Sequence, residues 1–237
     1  RDVAISNNHV HHTFFRAIGG YGYNVLLEGN QVEYGAQINR NNVMFYARQD
    51  HGGWPGVMQM GGDYEFRDLH SRSGNVIMRN NRIVNSWGEG IINGSDGGEI
   101  VGNTVANTYS VGIYLERSTG MRVEQNHVYA NDALFHRPLA ATPWVAASST
   151  PDAARRALDG ITLATESGSG GSSALVFDVT IINNVIAGAR RAFTYWYDAS
   201  NTNPSNSYAN INFSHNTLIG STGDAPIRIY ALGAGVE

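Results

Sequence analysis

The sequence predicts an all-β solenoid, a three-sided parallel β-helix of about eight coils with an Asn ladder, and three observations carry that prediction. The first is a repeat. Asn81-Arg82-Ile83 is followed ten residues after the Asn by Ile91 of Gly90-Ile91, and Asn103-Thr104-Val105 is followed at the same distance by Ile113 of Gly112-Ile113, so the period is 22 residues. A fixed period of this size marks an architecture in which each unit buries its apolar face only by stacking on the next. The second is the number of copies. The pattern apolar-x-x-Asn-x-apolar occurs at Ile5…Asn8…Val10, Leu27…Asn30…Val32, Met78…Asn81…Ile83, Ile100…Asn103…Val105, Val123…Asn126…Val128, Ile181…Asn184…Ile186 and Phe213…Asn216…Leu218. The third is composition: 28 Gly and 24 Asn among 237 residues, with only 15% charged residues, suits corners and ladders better than packed helices.

Within each copy the apolar residues alternate and are mostly Val and Ile, as a strand with one buried face requires. Three short strands and three corners fill 22 residues, and stacking at about 4.8 Å per coil sets each Asn above the last, where its amide bonds along the stack and to corner backbone.

The repeated Asn-x-Val followed by Gly-Ile, with Asn stacked at a corner, resembles the right-handed parallel β-helix superfamily of pectate lyases, polygalacturonases, alginate lyases and epimerases, and phage tailspikes. The resemblance runs from Val3 to about Tyr230. It implies the fold, a secreted bacterial protein and polysaccharide substrates, but it does not choose the reaction. Several signatures of these enzymes are missing: there is no Asn-Thr-Asp, Asp-Asp and Gly-His-Gly set as in polygalacturonases, no Asp-Pro-His-Asp as in mannuronan epimerases, and no Lys to act as a lyase base.

Length and 42% apolar content suit one domain over residues 1–237 with one core. The net charge of −4, with 16 basic residues that are all Arg and form no run, gives no nucleic-acid footprint. Cys is absent, which excludes disulfides and thiol chemistry and fits an exported protein. No apolar run approaches the roughly 18 residues of a membrane span. The chain starts in a strand pattern, Val3-Ala4-Ile5, without Met or signal peptide, and ends seven residues after Tyr230. Solenoid ends need caps, so a longer parent chain or covering subunits are expected there.

In chain order, the first coils run from Val3 to Ile38, with Asn8 and Asn30 in the ladder and Ile18 and Ile38 buried in the strand that follows. The rhythm is then disturbed as far as Ser73, where one irregular coil is expected through Asn42 and Val57. Regular coils resume at Asn75 and run to Asn131. From Asn126 to Ile161 is 35 residues instead of ten, an insertion that includes a short helix expected at Thr150-Pro151-Asp152 onward, where a cap precedes Pro at the first helical position. Insertions at about 42–55 and 132–158 lie on the corner before the Gly-Ile strand, and those at 62–74, 164–176 and 197–209 on the corner after it. Long loops on a rigid scaffold usually carry function, and these would wall a groove floored by the outward residues of the Gly-Ile strands. Alternation names them as Ile92, Tyr114, Glu116, Thr162, Thr194, Trp196, Arg228 and Tyr230.

Candidate chemistry follows from that placement. Glu116, beside Tyr114 and approached by His136 and Arg137 from the largest insertion, is one candidate acid. Glu89 and Asp159 precede Gly-Ile two coils apart, about 10 Å, near the spacing of inverting hydrolases. Tyr114, Trp196, Arg228 and Tyr230 are candidate substrate contacts, as are Arg48, His51 and Trp54, which with Asp50 offer a cation, an acid-held His and a stacking ring for a uronate. Each has an ordinary counterpart: corner carboxylates bond corner N–H groups, and a Gly-rich loop is often pinned by one aromatic. His9 and His11 share a strand face without a third metal ligand. The resemblance admits Ca²⁺ as cofactor, with Asp63, Glu65 and Asp68 as carboxylates, though no glycine-bounded calcium loop is present.

The functional expectation is an extracellular carbohydrate-active protein that binds an acidic polysaccharide and cleaves it as a lyase or hydrolase. The alternative is a non-catalytic surface, adhesion or filament component in which the β-helix is a rigid spacer.

Overall fold

A computed structural model describes residues 2–37, 56–61, 73–131, 159–165, 175–196, 207–221, 223 and 225–229. Every strand pairing among them is parallel, and the strands stack into three faces. The first face holds Val3–Ser6, Tyr23–Glu28, Ser73–Arg79, the end of Glu89–Val101, Thr119–Glu124, Leu175–Ile182 and Ser207–Ser214. The second, seven strands deep, holds His9–His11, Gln31–Glu33, Arg82–Ser86, Thr104–Thr108, His127–Tyr129, Val185–Ala187 and Thr217–Ile219. The third holds Ile18–Gly20, Gly56–Gly61, the start of Glu89–Val101, Val111–Glu116, Asp159–Ala164, Arg191–Trp196 and Ile227–Arg228. The fold is therefore the expected β-helix, and its described strands form seven coils.

The ladder explains the corner between the first two faces. Asn8, Asn30, Asn81, Asn103, Asn126 and Asn184 each donate a side-chain N–H to the Oδ1 of the next, the last acceptor being Asn216, at 2.9–3.0 Å. The same Oδ1 accepts the backbone N–H of the Asn before it in the stack, as from Asn81 to Asn103 at 2.9 Å. The second amide proton goes to a carbonyl of the preceding coil, from Asn81 to Leu27 and from Asn103 to Met78. Each interior rung thus satisfies polar groups that the corner would otherwise bury unpaired. The residue before each rung, Asn7, Gly29, Asn80, Gly102, Gln125, Asn183 or His215, has φ between 55° and 66°, the left-handed conformation that closes the turn and favours Gly and Asn.

Inside, one column per face forms a single core. Leu27, Met78, Ile100, Val123 and Ile181 come from the first face; Val32, Ile83, Val105 and Val128 from the second; and Met58, Ile91, Ile113 and Ile161 from the third, all fully buried. Burying such a side chain is worth about 1.5–3 kcal/mol. Toward the last coils the core turns aromatic: Phe193 stacks on Phe213 at 4.3 Å and Tyr195 on Tyr208 at 4.5 Å. Tyr195 faces inward as alternation requires.

The disturbed stretch after Gln37 is organised differently from the expectation. Val32 pairs with Ile83 and Val25 with Val76, so the Asn30 and Asn81 coils are direct neighbours and no extra ladder coil lies between them. Its described strand, Gly56–Gly61, takes the third face, and Ile18 pairs there with Met58, not with Ile38. The reason is that a rung needs a corner Asn with a strand on either side, and the described residues of the stretch contribute one strand to one face. Ile38 and Asn42, and the helix expected after Thr150, lie outside the described residues.

Candidate functional site

The Gly of the Gly-Ile motif sets the site's geometry. A Cβ on Gly90, Gly112 or Gly160 would lie 2.4–2.5 Å from a core methyl of Val105, Val128 or Ile186. These glycines face inward at the corner, and the isoleucine that follows faces inward as well. The residue before each Gly is therefore turned outward: Val111 packs with Ile92, Tyr114 and Ala164, away from the main core, and a Cβ on Gly56 would meet Ile92 and Gln59.

Register then assembles three outward columns on the third face. The first contains Gly56 and Glu89, then Val111, Asp159 and Arg191. The second runs Gln59, Ile92, Tyr114, Thr162, Thr194 and Arg228. The third includes Glu116 and Ala164. Glu89 and Asp159 stand two rungs apart, about 10 Å at the usual strand spacing.

The outward residues of this face are more deeply buried than most of those on the other two. Gln59, Glu89, Ile92, Tyr114, Asp159, Thr162 and Thr194 are all buried although they point away from the core, and Glu116 is only 4% exposed. Outward residues such as Arg79 and Arg122 on the first face, or Arg82 and His127 on the second, are exposed. The sequence had the columns right but anticipated an open floor. Arg228, at the end of the second column, is half-buried.

The carboxylates differ in their partners. Arg190 grips Asp159 through two parallel hydrogen bonds, Nε to Oδ1 and Nη2 to Oδ2, both 3.0 Å, and Arg191 stands 3.8 Å from Oδ2. Bidentate pairing of this kind fixes a carboxylate's orientation, which suits positioning better than proton transfer. Glu116 has a looser neighbour, the Nε of Arg117 at 3.9 Å. Gln59 accepts from Arg16 Nε at 2.9 Å and donates to the carbonyl of Gly61. The arginine grip was missed in the sequence, although Arg191 falls in the same column as Asp159 and Arg190 immediately precedes it.

Thr162 Oγ1 and Thr194 Oγ1 have no hydrogen-bond partner among the described residues, though Thr162 is only 2% and Thr194 only 1% exposed. Neither was singled out from the sequence beyond its outward position. His136, Arg137, Arg48, His51, Trp54 and Tyr230, and the side chain of Trp196, lie outside the described residues, as do Asp63, Glu65 and Asp68. His9 and His11 are exposed on the second face with ring centroids 5.3 Å apart, and His11 Nδ1 lies 3.2 Å from His12 Nδ1.

The profile of the family described as "Periplasmic copper-binding protein (NosD)" matches residues 4–142, more than half of the 237 residues. The chain belongs to the NosD family. No curated protein matches it. Among solved structures, this NosD family chain is similar to two Azotobacter vinelandii proteins, the A-modules of the mannuronan C-5 epimerases AlgE6 and AlgE4. The AlgE6 module superposes with a TM-score of 0.56 at 11% identity, covering 100% of this chain and 58% of that one. The AlgE4 module gives 0.51 at 11% identity, covering 99% and 57%. The chain thus spans less than two thirds of each module's length. At that identity the likeness shows the right-handed parallel β-helix fold alone, and the Asp-Pro-His-Asp run of mannuronan epimerases is absent here.

Proposed function

We propose that this NosD family chain is an exported bacterial protein that binds an acidic polysaccharide along the outward face of its third sheet and cleaves it with Glu116 as the proton-transferring group. One observation carries the reading: among the described residues the third face turns the carboxylates of Glu89, Glu116 and Asp159, the amide of Gln59 and the hydroxyls of Thr162 and Thr194 outward and yet buries them. Buried polar groups cost stability unless something bonds them; the hydroxyls of Thr162 and Thr194 have no partner among the described residues, and a polyhydroxylated ligand supplies both donors and acceptors. Arg117, Arg191 and Arg228 give the face the cations that a uronate needs. Asp159, already gripped by Arg190, is assigned to positioning Arg190 and Arg191. Glu116, buried in the third column with Arg117 Nε at 3.9 Å, is assigned the acid–base work in elimination or hydrolysis. His136 and Arg137 remain candidate catalytic residues, and Arg48, His51, Trp54, Trp196 and Tyr230 candidate ligand contacts, to be tested by substitution.

The family description names copper. Among the described residues no three His, Cys, Asp or Glu side chains group as metal ligands do, and the sequence has no Cys. The described donor set therefore does not fit a copper centre, and no step is routed through one. Ca²⁺ stays a proposal on Asp63, Glu65 and Asp68.

The test is incubation with polymannuronate, polyguluronate and polygalacturonate, following the absorbance of unsaturated product and the release of reducing ends. Turnover that falls about 100-fold or more in Glu116→Gln is expected. A wild-type protein that neither binds nor turns over any of the three sinks the proposal. The second reading is a non-catalytic filament or surface component. Concentration-dependent end-to-end assembly without glycan binding would select it.

A further inference from the structure

We infer that Thr162 and Thr194 form a two-rung hydroxyl pair that hydrogen-bonds the hydroxyl groups of a sugar ligand, making them specificity-determining contacts of the third face. The inference rests on the proposed glycan-binding role of that face and adds to it the residues that read the ring hydroxyls.

The two threonines are register partners on adjacent coils, about 4.8 Å apart at the usual strand spacing. Both point outward, because Ile161 and Leu163 on one strand and Phe193 and Tyr195 on the other are the inward residues. Both hydroxyl oxygens are buried without a partner among the described residues. A Thr in a strand commonly settles its hydroxyl on a neighbour, as Thr108 does on the carbonyl of Val111 at 3.3 Å and Thr119 on Asp96 at 2.9 Å. Leaving two adjacent hydroxyls unbonded forgoes that saving twice over.

Val has the same shape without the oxygen, so packing alone does not call for Thr at these positions. A hydroxyl is both donor and acceptor, which matches the hydroxyls of a sugar and not the acceptor-only character of a carboxylate or phosphate. The column's neighbours fit the same ligand. Tyr114 adjoins Thr162 on one side and Arg228 adjoins Thr194 on the other, so an aromatic ring, two hydroxyls and a guanidinium follow one another along the stack. A site that is built to bond a ligand hydroxyl rejects analogues lacking it more strongly than an apolar pocket can.

The experiment compares wild type, Thr162→Val, Thr194→Val and the double variant by thermal melting and by calorimetric titration with hexamers of mannuronate, galacturonate and, as an uncharged control, glucose. The expected result is a Tm unchanged or raised in the variants, with affinity for an acidic hexamer reduced about tenfold in each single variant and further in the double. Loss of binding to the glucose hexamer alone keeps the hydroxyl pair and overturns the acidic-polysaccharide reading. Wild-type binding that the double variant retains in full overturns the pair and leaves that reading standing. A lowered Tm shows that the hydroxyls are satisfied within the fold, which overturns the inference irrespective of binding. Absence of binding to all three hexamers overturns both.

Discussion

Asn30 and Asn81 are 51 residues apart in the chain and adjacent in the ladder, the side-chain amide of Asn30 donating to Oδ1 of Asn81 at 3.0 Å. The bond is the same length as that from Asn81 to Asn103, which are 22 residues apart. The corner therefore has one geometry whatever the length of the coil, and coil length varies only where the excursions leave the second or third face.

If the ladder closes the corner, an interior rung should be worth more than a terminal one. Asn103→Ala removes an amide that bonds Asn81, Asn126 and the carbonyl of Met78 and leaves buried partners unpaired, so we expect a loss of about 3 kcal/mol or more. Asn8→Ala, at an exposed rung, should cost less than about 1 kcal/mol. Urea unfolding of both variants measures the contrast, and equal losses would count against a ladder that holds the stack.

The inward-facing glycine of the Gly-Ile motif makes a steric prediction. In Gly112→Ala the new Cβ would stand 2.4 Å from Val128 Cγ1 and 2.8 Å from the carbonyl oxygen of Gly160, and overpacking of this kind costs about 1–3 kcal/mol. Gly97→Ala meets nothing within 4 Å but has φ of +73°, so its cost of about 1–2 kcal/mol is conformational. Substitution by Asn, which tolerates left-handed φ, should rescue position 97 and not position 112. Thermal melting of the four variants decides.

The Arg190–Asp159 pair separates positioning from catalysis. Arg190→Ala strands a buried carboxylate with only Arg191 nearby, at 3.8 Å, and a destabilisation of about 2–3 kcal/mol is expected. The double variant Arg190→Ala/Asp159→Asn should recover most of it, since no charge is then left unpaired. A double variant as unstable as the single would show that the pair contributes packing and not charge compensation.

Alkaline stability should report on the aromatic end of the core. Burial pushes the Tyr195 phenol above its ordinary value, so the folded chain holds that proton more tightly than the unfolded one. Its contribution is complete below pH of about 10 and is lost as pH rises past that point through the folded value. Tyr195→Phe should therefore lose less stability than wild type between roughly pH 9 and pH 11. Parallel losses in the two proteins would contradict the assignment.

Much of this was legible in the residues because a solenoid repeats local chemistry. Asn103, Val105 and Ile113 recur one period on from Asn81, Ile83 and Ile91, and alternation from those anchors placed Tyr114, Glu116, Thr162 and Thr194 on one outward face, where the pairings put them. Alternation failed at one step, the corner before Gly-Ile. There two consecutive residues face inward, so Glu89 and Asp159 belong to the outward face and are not merely corner residues. Nothing in a run of Gly90-Ile91 states that, because the clash that keeps Gly90 bare is with Val105, on a different strand. The arginine grip on Asp159 was hidden for a similar reason: Arg190 is 31 residues away, and only coil stacking brings the two together.

What the sequence determined alone was the coil: its period, its three strands, the amide at its corner and the identity of the inward column, all set by short-range patterning. The tertiary structure decided which coils are neighbours, that the outward polar residues of the third face are buried, and which carboxylate is already held by arginines. Those depend on contacts between residues far apart in the chain, which a periodic pattern makes possible and does not specify.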